Sequence, residues 1–214
     1  IYKKNEEYTV EIEDVGTGGE GIAKIDGYTL FVKDTVIGDV VEVKIMKAKK
    51  NYGYARLMNI ITPSKDRVTP ECNIARQCGG CQLQAMSYAA QLKYKQKLVS
   101  DNLQRIGGLT EGVDYEMCDI LGMDKPFRYR NKAQYPVGED KDGNIIMGFY
   151  AGHTHSIIPC DDCLLGDENN SVILTAVKQW MKDYRVSAYN ENLHKGTLRH
   201  ILIRAGFHTD EIMV

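Results

Sequence analysis

No stretch of this sequence approaches the apolar length needed to cross a bilayer, and the N-terminus, Ile1-Tyr-Lys-Lys-Asn-Glu-Glu7, has no hydrophobic signal core. A membrane partner is therefore not expected, and the chain reads as cytoplasmic. Net charge is lacking too: 27 Lys and Arg against 29 Asp and Glu leave −2, so any anionic partner must be read from where the cations lie. There is no internal repeat, no low-complexity segment and only 5 Pro in 214 residues, an ordinary globular composition with room for one or two domains. Also missing is a glycine-rich strand-to-helix turn followed at the required distance by an acidic residue. The Gly16–Gly21 run precedes a hairpin rather than a helix, which excludes it as a phosphate or cofactor loop. The chain starts without Met and stops at Glu211-Ile-Met-Val214, where a strand is just starting. It reads as a fragment, and as a monomer.

The first sixty-odd residues read as short strands. Tyr8–Asp14 alternates, with Val10 and Ile12 on one face. Gly21–Ile25 and Tyr28–Lys33 flank Asp26-Gly27, the best hairpin signal in the chain. Asp39–Met46 and Tyr54–Ile61 follow, and five short strands with glycine turns suggest a small β barrel of the OB kind. Pro63, Ser64 and Pro70 mark the exit from it. A helix is predicted after Ser87 as N-cap, with an apolar stripe of Leu92, Val99, Leu103 and Ile106, ending at Gly107-Gly108. Strands are then predicted over Tyr115–Leu121, Tyr129–Val137, Ile145–Tyr150 and Thr197–Ala205, and a second helix over Glu168–Tyr184. Helices mixed with hairpin-connected strands indicate an α+β domain. The expected division is a barrel over residues 1–62 and the α+β domain over 63–214.

Six cysteines without a secretory signal are poor disulfide candidates, because the cytosol keeps thiols reduced. Cys72-x5-Cys78-Gly-Gly-Cys81 puts three thiols in ten residues, and Cys160-Asp-Asp-Cys163 adds two downstream. Zinc would take Cys78, Cys81, Cys160 and Cys163 as paired C-x2-C knuckles. An iron–sulfur cluster would take the close three and one remote thiolate. The first leaves Cys72 unexplained and the second leaves one of the downstream pair spare, so spacing alone leaves both open. Cys118, alone in a predicted strand, reads as an ordinary buried cysteine.

Lys44, Lys47, Lys49, Lys50 and Arg56 cluster in and around one hairpin, interleaved with Tyr52 and Tyr54. Cations beside stacking aromatics meet the requirements for single-stranded RNA, and the same residues suit a solvated turn. Arg128, Arg130 and Lys132 alternate along a predicted strand, which places three like charges on one face and calls for RNA phosphates or acidic neighbours. Arg199, His200 and Arg204 are weaker RNA candidates, and His153 and His155 read as hydrogen-bonded structural histidines.

The run Glu71-Cys-Asn-Ile-Ala-Arg-Gln-Cys-Gly-Gly-Cys-Gln-Leu-Gln-Ala-Met-Ser-Tyr88, continuing into Gln91–Lys97, resembles the RNA uracil-5-methyltransferases that carry a [4Fe–4S] cluster. Gly19–Lys24, Leu30–Val32, Gly38–Val41, Ala55-Arg56 and Arg67–Pro70 resemble the TRAM domain that precedes that cysteine segment in the family. Phe127–Lys132, Gly148–Tyr150, His155–Ile158 and Leu198–Arg204 resemble its central domain.

The resemblance implies a [4Fe–4S] cluster on Cys72, Cys78, Cys81 and Cys163, since the remote ligand follows acidic residues and precedes Leu-Leu, as Cys163 does in Asp161-Asp-Cys-Leu-Leu165. It favours RNA, ribosomal above all, at Lys47, Lys49, Lys50, Tyr52, Arg56, Arg128, Arg130 and Lys132. It implies a parent enzyme that makes 5-methyluridine in 23S rRNA with S-adenosyl-L-methionine. There, a cysteine thiolate attacks uracil C6, the methyl goes to C5, and a base removes the proton. In the family that chemistry belongs to a Rossmann-like domain beyond this chain, so no cysteine here is assigned as nucleophile and this stretch alone is expected to be inactive. The other reading is a stand-alone TRAM-type RNA-binding or zinc-binding module with no catalytic activity.

Overall fold

The computed structural model describes residues 2–152 and 154–214; His153 lies outside them. The chain divides into two compact units, the first running to Glu71 and resuming over Gln82–Gly122, the second comprising Cys72–Cys81 and Met123–Val214. No helix among the described residues is long and apolar enough to cross a membrane.

In the first unit, β1 (Glu7–Glu11), β2 (Asp14–Val15), β3 (Gly21–Ile25), β4 (Tyr28–Val32), β5 (Val40–Ala48) and β6 (Tyr52–Thr62) form one sheet. Its order is β1-β5-β6-β4-β3-β2, with β4 and β6 parallel and the other pairs antiparallel. The expected β3–β4 hairpin is present, turning through Asp26 (φ 47°) and Gly27 (φ 82°). Positive φ at both central residues matches the right-handed twist of the flanking strands. Alternation buries Val10, Ile12, Ala23, Leu30, Val32, Val41, Val43 and Ile45 on one face.

This unit does not stop at residue 62. The carboxylate of Asp39, fully buried, accepts backbone N–H bonds from Val36 (2.6 Å) and Ser64 (2.9 Å) and two guanidinium donors of Arg67. Arg67 also donates to the Asp34 carbonyl at 3.0 Å. The chain leaving β6 is thus pinned to the β4–β5 turn. The helix α1 (Tyr88–Asp101) follows, with Ser87 as its N-cap, accepting from the Ala90 N–H. Its buried residue is Tyr94, packed with Val15, Val36 and Met86 and donating its hydroxyl to the Gly16 carbonyl at 2.7 Å. The predicted stripe is displaced: Val99 and Ile106 are exposed, because Tyr94, Ala90 and Leu98 face the core. Beyond a π-helical turn (Asn102–Ile106), residues 115–121 are not a strand. The Gln96 side chain holds them instead, accepting from the Ile120 N–H and donating to the Cys118 carbonyl. Cys118 is exposed rather than buried.

Burial by itself raises the pKa of Asp39, but the bonds from Arg67, Ser64 and Val36 outweigh it and hold the carboxyl below the usual carboxylate range. A depressed folded value contributes stability above the unfolded pKa of roughly 4, which is lost as pH falls through the folded value. Asp39→Asn or Arg67→Ala is expected to cost about 3–5 kcal/mol, because each leaves a buried partner uncompensated. Urea melts at pH 7 and pH 3 check this: the deficit of Asp39→Asn relative to the parent should be smaller at the lower pH.

In the second unit, β7 (Lys132–Glu139), β8 (Ile145–Tyr150), β9 (Ile157–Pro159), β10 (His200–Gly206) and β11 (Glu211–Met213) make an antiparallel sheet ordered β11-β10-β7-β8-β9. The helix α2 (Asn169–Asp183) packs Leu174 and Met181 against Tyr135, Val137, Met147, Ile201 and Ile203. β7 begins at Lys132 rather than Tyr129: Arg130 makes an isolated parallel bridge to Gly166 and Asn131 lies in a bend, so ladder pairing starts only after them.

Candidate functional site

All five clustered cysteines fall in the second unit. Residues 72–78 turn on themselves through bonds from Ala75 N–H to the Cys72 carbonyl (3.1 Å) and Cys78 N–H to the Ile74 carbonyl (2.8 Å). The loop then docks on β8: Cys78 bridges Ala151, and the Gly79 N–H donates to the Tyr150 carbonyl at 3.0 Å. A Cβ at Gly79 would stand 3.0 Å from that same carbonyl and 3.1 Å from Gly152, so a side chain there would crowd the backbone on which the loop docks.

Cys160 follows β9, buried, with its N–H on the Met147 carbonyl (3.0 Å). Its thiol donates to the Cys163 sulfur. That bond, joined by the Leu165 and Gly166 N–H groups and the charge of Arg130, holds Cys163 at about 6 against the opposing effect of burial. Cys160 is pushed up by the same bond, by burial and by the neighbouring thiols of Cys163, Cys72 and Cys78. Cys78 is raised chiefly by burial, and the charges of Cys81, Cys163 and Cys72 add to it. Cys78 therefore feels the other three candidate ligands electrostatically. Among the described residues, however, no three His, Cys, Asp or Glu side chains stand in the arrangement of ligands about one ion. The donor set is the soft one that zinc or an iron–sulfur cluster requires.

Two of the predicted basic RNA residues serve this site. Arg128 clamps Asp162 through two parallel bonds (2.6 and 2.7 Å) and donates to the carbonyls of Cys163 and Gly166. Its charge is therefore already matched by an acidic neighbour, and it braces the Cys163 turn. Arg130, bridged to Gly166, favours the Cys163 thiolate. The three-cation face expected of residues 128–132 is not formed. Lys132 instead lies opposite Arg204 across β7 and β10, a like-charged pair that is unfavourable without an anionic partner.

In the first unit, the other predicted cluster stands on the outward face of β4, β5 and β6. Phe31, Tyr52 and Tyr54 have ring centroids 5.7–5.9 Å apart, and Tyr54 is 44% exposed. Register puts Lys47 opposite Tyr54 and Arg56 opposite Lys44. Lys44 is engaged by Glu7 (3.0 Å), whereas Lys47, Lys49, Lys50 and Arg56 make no ion pair among the described residues. The Tyr28 hydroxyl closes the basic hairpin, bonding Lys49 and Tyr52 backbone groups. Phe31 joins the predicted Tyr52 and Tyr54 here; the parallel β4–β6 pairing that brings Phe31 in has no local sequence signal.

Residues 3–58 match the family model described as TRAM domain. The chain is 48% identical over 212 residues to a Clostridium tetani protein named "Uncharacterized RNA methyltransferase", covering 99% of this chain and 45% of that protein. A similarly named Halalkalibacterium halodurans protein is 46% identical over 211 residues, with 99% and 45% covered. The chain thus has RNA methyltransferase homologues and spans about half the length of the relatives it matches. Its fold is similar to that of the Pyrococcus abyssi tRNA (uracil-54, C5)-methyltransferase solved with S-adenosyl-L-homocysteine, at TM-score 0.69 and 23% identity, covering 95% of this chain and 44% of that one.

Proposed function

We propose that this chain is the RNA-recognition and iron–sulfur part of an S-adenosylmethionine-dependent RNA uracil-5-methyltransferase that makes 5-methyluridine in 23S rRNA. The observation that carries the reading is the company of Cys163. One remote thiol, held toward its thiolate form by the Cys160 thiol and then by backbone N–H donors, shares a compact unit with the Cys72–Cys81 loop. In this reading Cys72, Cys78, Cys81 and Cys163 hold a [4Fe–4S] cluster. When bound, the cluster supplies a four-thiolate cross-link and a one-electron couple. Cys160 donates to the Cys163 sulfur, and Arg128 fixes the Cys163 turn through Asp162.

The first unit is read as a small closed barrel of the OB kind. In support, the stretch joining β1 to β2 bonds Asp39 before β5 through Ile12 N–H (2.9 Å) and β3 through Glu13 N–H (2.8 Å). Its Phe31, Tyr52 and Tyr54 stack on splayed bases while Lys47, Lys49, Lys50 and Arg56 neutralise phosphates. Lys132 and Arg204 supply a second phosphate contact, which relieves their repulsion.

The test is methyl transfer by the longer parent protein from isotopically labelled S-adenosylmethionine to 23S rRNA, read by nucleoside mass spectrometry. Labelled 5-methyluridine is expected, and none from the 214-residue chain alone. Methylation of tRNA alone, or at another base, would overturn the substrate assignment.

A further inference from the structure

The second unit holds an open cleft of about 530 Å³ that neither the thiol site nor the basic face of the first unit uses. This lies within the range of small-ligand sites, roughly 300–1,000 Å³. Ile146 and Ile157 supply apolar lining among its polar groups. One wall is an aromatic pair: the Tyr150 ring and the His155 imidazole stack with centroids 5.2 Å apart and planes at 23°. The His155 side chain is 77% exposed, so its outer ring face is open. Facing it is Arg199, whose guanidinium sits 5.3 Å above the Tyr189 ring. Glu191 ties the walls together, bonded to His155 Nδ1 at 2.7 Å and to Arg199 at 2.8 Å. Glu191 takes one N–H of a guanidinium that has five, leaving donors for an incoming anion.

A stacking platform and a cation that share one carboxylate, beside apolar Ile146 and Ile157, match a planar base with an attached phosphate. We propose that this cleft takes one unstacked nucleotide of single-stranded RNA, its base on the Tyr150–His155 pair and its phosphate on Arg199. The proposal rests on the RNA-recognition reading above and adds a third contact region to it. Stacking on an aromatic side chain is sequence-tolerant, so selectivity would come from polar groups on the cleft rim such as Ser156, Asn190 and Asn192. The Glu191 carboxylate, occupied on both sides, orients His155 and Arg199 as a positioning residue.

The test uses the 214-residue chain, a fluorescent single-stranded RNA of about eight nucleotides, and the exposed-residue variants His155→Ala, Arg199→Ala and Arg199→Lys. Each alanine variant should weaken binding roughly tenfold, with Arg199→Lys recovering part of the loss. Titrating UMP or AMP should shift the His155 imidazole resonances of the parent chain. The control is Lys49→Glu/Lys50→Glu, outside the cleft. If that variant loses affinity while His155→Ala and Arg199→Ala bind as the parent does, the cleft proposal falls and the RNA reading stands. If the parent chain itself binds no RNA, both fall.

Discussion

Replacing Cys163 by alanine is expected to leave the anaerobically purified chain colourless, with iron and sulfide near zero. Cys72→Ala, Cys78→Ala and Cys81→Ala should do the same, because a cluster that loses one of four thiolates is left with an open iron. Cys118→Ala should keep full iron, its thiol being exposed in the other unit. Cys160→Ala is the sharper control: in the proposed ligand set its thiol donates to Cys163 and does not ligate, so the variant should load iron and hold it less firmly in air. The proposed ligation would also link Cys81 to Cys163, 82 positions apart, and closing a loop of that size is worth about 4–5 kcal/mol in the chain-entropy model. Metal-site binding energy is folding energy, so calorimetry should show the second unit melting more than about 10 °C lower in Cys163→Ala than in the loaded parent. A colourless parent holding one zinc per chain would overturn the cluster. Iron retained by Cys163→Ala and lost by Cys160→Ala would exchange the fourth ligand.

Reversing charge at Lys49 and Lys50 is expected to weaken RNA binding by one to two orders of magnitude at low salt. Both side chains are exposed and unpaired among the described residues, and their hairpin is closed by Tyr28 rather than by their charges. Each phosphate contact on a single strand contributes about 0.7 to the log–log salt slope, so the double variant should flatten it by about 1.4. Phe31→Leu or Tyr54→Leu should lower affinity by about 1–3 kcal/mol per base unstacked without changing that slope. Separating the two effects is the strength of the experiment. An unchanged slope in the charge-reversed protein would remove this face as the phosphate-binding surface.

Much of the first unit was legible because its signals are local. Alternation names Val10, Ile12, Val41, Val43 and Ile45 as one face, and Asp26-Gly27 fixes its hairpin, since both central residues tolerate positive φ. Ser87 was readable as a cap because it needs only the amide three residues on. The end of that unit was not readable: Asp39 and Arg67 are 28 residues apart, and Pro63 looks like a linker until their ion pair is seen. The Tyr115–Leu121 segment failed for the opposite reason, since it has strand-like residues but no neighbouring strand to bond them.

The cysteine spacing, by itself, pointed to a thiol site and to a loop given room to turn by Gly79-Gly80. The family resemblance favoured Cys163 over Cys160. Only the tertiary structure decided that these two thiols differ in kind, one buried and donating, the other accepting from backbone amides. It also decided that Arg128 serves Asp162 and that Phe31 joins Tyr52 and Tyr54. The physical reason is the same in each case. Periodicity and turn chemistry act over a few residues, whereas hydrogen-bond direction, charge pairing and ring contact depend on groups that meet only once the strands are in register.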